Sequence, residues 1–197
     1  MLPFTKRPVP IATGFFVFSL CFLCAHELRA ADPIEFEVGE FLFERPDGFV
    51  WINSTSPMRK AELRIPNPSA KPGAPPVEVT FFHFGPGQGG SPESNIARWL
   101  SQFQESPDAL DAKTAEEIIG QTKVYLLSAR GTFLSGMPGQ PTTPQPDTEM
   151  RAAILTSNSG DVFVKMTGPS ELVRSVANSF DKMILDAARR RAAATTR

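Results

Sequence analysis

Residues Phe81 to Phe103 read FFHFGPGQGGSPESNIARWLSQF and leave the chain little choice of path. An apolar strand runs through a glycine-rich turn at 85–90 straight into a helix that opens on Ser91-Pro92. Ser91 can cap free N–H groups, and Pro92 suits the first helical position because its missing N–H has no partner there. Ile96, Trp99, Leu100 and Phe103 fall at i, i+3, i+4 and i+7, one apolar stripe on a helix of about Pro92 to Gln104. Asn95, Arg98 and Gln102 line an adjacent polar flank.

The N-terminus decides which residues remain to be explained. Lys6 and Arg7 precede an apolar run from Ile11 to Ala25, and a small-residue region ends at Ala30-Ala31. Those are the three parts of a secretory signal peptide. The run falls short of the roughly 20 residues a membrane-spanning helix needs. Residues 1–30 are therefore expected to be a cleaved signal, leaving a secreted or periplasmic protein that meets the membrane only through that segment. Leu20 and Leu23 are bulky before Cys21 and Cys24, where lipid attachment needs a small residue.

Cleavage after Ala30 of the 197-residue chain leaves 167 residues, enough for one domain with its own core. Both cysteines leave with the signal, so the mature chain has neither disulfides nor thiolate chemistry. Losing Lys6, Arg7, Arg29 and Glu27 leaves 17 basic against 20 acidic residues, a net charge of −3. That balance excludes the basic footprint of a nucleic-acid binder.

Along the mature chain, residues 34–52 predict one or two short strands with a turn at Arg45-Pro46-Asp47-Gly48, where Pro presets φ and Gly accepts its positive values. Met58 to Ile65 alternates, with Ala61, Leu63 and Ile65 facing inward and Lys60, Glu62 and Arg64 facing out. A proline-rich loop follows at 66–76. Val77 to Phe84 carries phenylalanine on both faces and is expected to be a central strand. Lys113–Ile119 and Lys123–Leu134 read as strands joined at Gly120-Gln121, although Glu116 and Glu117 leave a short helix open in the first. A second proline-rich loop is expected at 136–148. Arg151–Thr156 and Asp161–Thr167 predict a hairpin around residues 157–160. The final helix is expected from Gly168-Pro169, burying Leu172, Val173, Val176, Phe180, Met183, Ile184 and Ala187. Residues 189–197 then form a basic, frayed tail.

These elements describe a single α+β domain over 31–188, with a mostly antiparallel central sheet of about six or seven strands and two main helices. The Pro-x-Gly-aromatic turn at 46–49 and the hairpin leading through Thr167-Gly168-Pro169 into the last helix resemble the PsbP-like sandwich, a fold also found in a Ran-binding protein and in exported bacterial lipoproteins. Phe84, Gly85, Gly87, Gly89, Gly90, Asn95, Arg98, Trp99, Gln102 and Phe103 resemble the F-G-x-G-x-G-G-x-x-x-x-N-x-x-R-W-x-x-Q-F pattern of exported, uncharacterised bacterial proteins. The resemblance implies accessory and partner-binding roles more than catalysis, and brings no metal site and no cofactor.

The residues themselves support three functions. The first is an exported, non-enzymatic binding or accessory module of the cell envelope, with an envelope or extracellular protein partner. The second is an anion or small-molecule binder. There, Gly87, Gly89, Gly90 and Ser91 present N–H groups and the helix N-terminus, and Arg98 supplies charge. The competing explanation is steric, since glycines permit a tight reversal from strand to helix. The loop is neither a P-loop nor a dinucleotide fingerprint. The third function is a hydrolase centred on His83 with Ser91. However, a lone histidine beside valines is more simply a hydrogen-bonded core residue. Glu116 and Glu117 cannot converge from adjacent strand positions. Glu35 and Glu37 share a face near the terminus, where they are expected to be solvated. No residue is assigned a catalytic role.

Overall fold

The structure is a computed structural model and describes residues 32–67, 75–136 and 141–195. The expected signal peptide lies outside the described residues, as do parts of both proline-rich loops.

Alternation drives the assembly. In β5 (Val77–His83), Val77, Val79 and Phe81 are fully buried on one face, while Thr80 and Phe82 point to the other. β5 lies between β4 (Arg59–Ile65) and β9 (Val162–Pro169), the central position its aromatic content predicts. With β3 (Val50–Trp51), β6 (Lys113–Ile119), β7 (Thr122–Ser135) and β8 (Thr143–Leu155), these strands form one sheet in the order β3-β4-β5-β9-β8-β7-β6. Every pairing is antiparallel. The protein is thus an α+β domain with a seven-stranded sheet, two main helices and a separate hairpin of β1 (Glu35–Val38) and β2 (Phe41–Glu44).

The two sheet faces are covered unequally. Over one lie the hairpin and α2 (Ser170–Thr195), whose Val173, Phe180, Met183 and Ile184 meet Phe36, Phe41, Phe43, Leu63 and Phe81 in the main core. Over the other lies α1 (Pro92–Leu100). Its Trp99, with Phe103 beyond its end, packs on Leu127, Ala129, Met150, Ala152, Ile154 and Phe163. Those contacts occupy the β7–β8–β9 half. Among the described residues, no helix covers the β4–β5 half of this face.

Several boundaries differ from the sequence reading, each for a local reason. The first helix stops at Leu100, because the chain beyond it pairs with β7: the Gln104 N–H donates to the Thr132 carbonyl at 2.8 Å and the Leu134 N–H to the Gln102 carbonyl at 2.8 Å. The expected loop 136–148 is shorter, since β8 begins at Thr143. Pro144 and Pro146 are tolerated there because β9 pairs with β8 only from Thr148 onward, leaving one edge of that stretch free. Gly168 and Pro169 end β9, and the last helix starts at Ser170.

The expected frayed tail is helical to Thr195, held by its arginines. Arg190 bonds Glu35 at 2.6 Å and also Glu44. These two glutamates face each other across the hairpin, where like charges repel, so Arg190 neutralises a real conflict. Glu35 is therefore not simply solvated. Arg191 bonds Glu40 at 2.7 Å and Thr122 Oγ1 at 2.8 Å, and lies over the Phe41 ring.

Candidate functional site

The glycine turn is built for close approach. Gly85, Gly87, Gly89 and Gly90 all have positive φ, which L side chains rarely adopt. A Cβ at Gly89 would lie 2.8 Å from the Phe163 ring, and one at Gly160 would lie 2.3 Å from the Gly85 carbonyl carbon. Ser91 caps α1, accepting the Ser94 N–H at 3.2 Å.

Asn95 was expected on a polar flank and is instead buried. Its amide donates to the carbonyls of Gly89 at 2.8 Å and Ser91 at 2.9 Å, while its Oδ1 accepts from Arg98. One side chain thus ties the end of the glycine turn to the first turn of the helix. The sequence signal was a lone asparagine one turn beyond a serine cap.

His83 ends β5, and its Nδ1 faces the Asp161 carbonyl at 3.3 Å, which accepts a proton carried there. Its ring also borders Gly39. The histidine lies close enough to Glu40 to help hold that carboxyl below its usual range, although the bonds from Arg191 and Ser159 do more. His83 and Ser91 therefore have separate partners. Among the described residues, no cluster of three or more His, Cys, Asp or Glu gathers as for a metal ion. No helix among them is long and apolar enough to cross a membrane.

One concave surface lies away from these residues, on the half of the sheet that α1 leaves uncovered. Its floor is formed by Thr80 and Phe82 of β5 with Lys165 and Thr167 of β9. Arg59 and Glu78 form one side, and Phe133, Ser135 and Gln145 of the β7–β8 arm curl over the other. The cavity is about 260 Å³. Pro75-Pro76, just before β5, closes one end.

Charge inside this groove is unevenly satisfied. Glu62, expected to face solvent, is buried and bonds Arg59 at 2.7 Å. Arg64 meets Glu78 at 3.5 Å. Lys165 is half-buried and has no carboxylate at ion-pair distance among the described residues. The Lys165 ammonium donates to the neutral Gln102 Oε1 at 3.1 Å and sits 5.6 Å from the centre of the Phe133 ring. The pairing of residues 102–104 with β7 brings both partners to it.

Burial, reinforced by the positive charges of Arg59 and Arg98, pushes the Lys165 amine down to about 8, with Glu78 opposing weakly. Two residues along, Thr167 Oγ1 is buried with no hydrogen-bond partner among the described residues. A cation short of counter-charge and a hydroxyl short of a partner thus share one face of one strand.

Sequence reading gave neither residue a functional role. Their signal was a lysine and a threonine alternating with Val162, Val164 and Met166 in a strand read only as half of a hairpin. Of the candidate site residues it named, Arg98 exerts its charge on this groove.

No family model matches the chain, and no curated protein matches it. In shape it is similar to the cyanobacterial PsbP (CyanoP) of Synechocystis sp. PCC 6803, at 11% identity and a TM-score of 0.47, over 76% of this chain and 88% of that one. It is also similar to LpqN of Mycobacterium tuberculosis, a protein involved in cell envelope biogenesis. That likeness has 9% identity and a TM-score of 0.45, over 72% and 78% of the two chains. A protein of unknown function from Pseudomonas aeruginosa matches at 14% identity and a TM-score of 0.38, over 76% and 92%. Likenesses at these TM-scores carry no argument about role. The functional reading rests on this chain's own residues.

Proposed function

We propose that this chain is an exported, non-enzymatic binding module of the cell envelope whose working surface is the groove around Lys165. Export is read from the charged start, apolar run and small-residue end of residues 1–30. The observation that carries the binding reading is Lys165, half-buried, lining an open cavity and answered by no carboxylate among the described residues. A buried charge without a counter-charge is costly, and a bound anion supplies what the protein omits. The groove offers an amine, hydroxyls and one carboxylate already engaged by arginine, which suits holding a ligand better than cleaving one. The glycine turn then acts as the rigid joint that places α1 and, beyond it, Gln102.

A thermal-shift series with acetate, phosphate, sulfate and aromatic acids tests this. An anion at about a hundred times its dissociation constant adds about 2.7 kcal/mol. In a domain of this size that raises Tm by roughly 5–10 °C. The rise must vanish in Lys165→Met. A rise that survives this substitution, or none with any anion, refutes the groove as the working surface.

A further inference from the structure

The groove's charge and walls define the ligand more narrowly than "anion". This step rests on the groove being the binding surface. The exposed Arg98 adds its positive charge from outside the lining. Of the cations that line the groove, Arg59 is matched by Glu62 at 2.7 Å, with Glu78 engaged by Arg64 at 3.5 Å, and the Lys165 charge is left uncompensated among the described residues. A monoanion neutralises that charge, whereas a phosphate dianion would bury a surplus negative charge against Glu78.

The second requirement is a donor to the anion besides the ammonium. Thr167 Oγ1 is buried, unpartnered and two residues from Lys165 on the same strand face, about 6.6 Å away along the backbone. The flexible lysine stem can bring its ammonium toward the hydroxyl, so that two oxygens of one planar group meet one donor each. The third requirement is an apolar body. The rings of Phe82 and Phe133 and the prolines at 75–76 wall the cavity, and its 260 Å³ matches the body of a small molecule.

We propose that the groove binds small monocarboxylates with a compact apolar or aromatic body, the carboxylate held between Lys165 and Thr167 and the body lying against Phe82 and Phe133. The occupant is thus a small organic acid and not a nucleotide or a phosphorylated metabolite.

Titration calorimetry of the purified chain with four probes tests it. These are benzoate, neutral benzamide, phenyl phosphate above its second ionisation, and inorganic phosphate. Benzoate is expected to bind at least tenfold more tightly than each of the others. Lys165→Met abolishes its binding and Thr167→Val weakens it several-fold, both with an unchanged circular dichroism spectrum. Lys165→Arg, which keeps the charge, retains part of the affinity and guards against reading a folding defect as a lost site.

If phenyl phosphate or phosphate binds as tightly as benzoate and depends on Lys165, the monocarboxylate assignment is wrong while the groove reading stands. Benzamide binding equal to benzoate also overturns the assignment, because it shows that the charge does not matter. Binding by none of the four, or benzoate binding indifferent to Lys165→Met, removes both.

Discussion

The molecule has two cationic regions that look alike in composition and behave oppositely. At the end of α2, Arg190 and Arg191 face three glutamates of the β1–β2 hairpin, and each arginine has its carboxylates in contact. In the groove, Lys165 is comparably sheltered and meets a neutral amide and a ring. The first arrangement fastens one element to another. The second leaves an electrostatic deficit inside the fold, the kind of deficit that ligands relieve. Positive charge alone says little; what answers it separates a strut from a site.

The largest effect should come from breaking the strut. Arg191 is only 10% exposed, and its loss strands the buried Thr122 hydroxyl as well as Glu40. Arg191→Ala is expected to cost about 2–4 kcal/mol in denaturant unfolding, with benzoate binding intact. A loss near zero would place these arginines among ordinary surface pairs.

Lys165→Met should act in the other direction. An amine held near 8 instead of 10.5 corresponds to about 3 kcal/mol of strain on the charged form. Some of that is offset by the Gln102 bond and the ring contact. The substitution should therefore stabilise the free protein by about 1–2 kcal/mol while abolishing binding. Destabilisation by a similar amount would show that Lys165 is structural.

The pH dependence sharpens the same contrast. Because the folded-state amine titrates near 8 and the unfolded one near 10.5, the unfolded chain holds more protons between those values. Wild type should therefore gain stability relative to Lys165→Met as pH rises from about 8 to 10.5, and the difference should be constant below 8. Carboxylate binding should fade over the rise through 8, as the ammonium is lost. Parallel pH–stability curves for the two proteins would contradict this.

The smallest effect expected is that of Arg98→Ala. It removes a donor to Asn95 and one of the charges that lower the Lys165 amine. Stability should fall by about 0.5–1 kcal/mol, and the basic limb of binding should move to slightly higher pH. Loss of all binding with the Lys165 midpoint unchanged would instead favour the glycine turn as the anion site.

Much of the architecture was legible because it is periodic. The alternation of Ala61, Leu63 and Ile65, the i, i+3, i+4 stripe on α1 and the Pro-Asp-Gly turn each state a local rule that the fold obeys. What the sequence hid depends on partners distant in the chain. Glu62 sits in an outward position of a strand and is buried because Arg59 curls to meet it. Residues 189–195 look like a polar end and are helical because the hairpin supplies Glu35, Glu40 and Glu44, some 150 residues earlier. Lys165 looks like a strand's solvent-facing residue. Its character emerges only when Gln102 and Phe133 close over it and no acid among the described residues does.

The most direct test of this account is the titration of Lys165 itself, followed by NMR in protein carrying carbon-13 at the lysine ε positions. The account predicts one lysine ε signal with a midpoint near 8, absent in Lys165→Met and shifted upward on saturation with benzoate. A Lys165 midpoint near 10.5 in the free protein, unmoved by benzoate, would show that the groove holds no unanswered charge and would contradict the central claim.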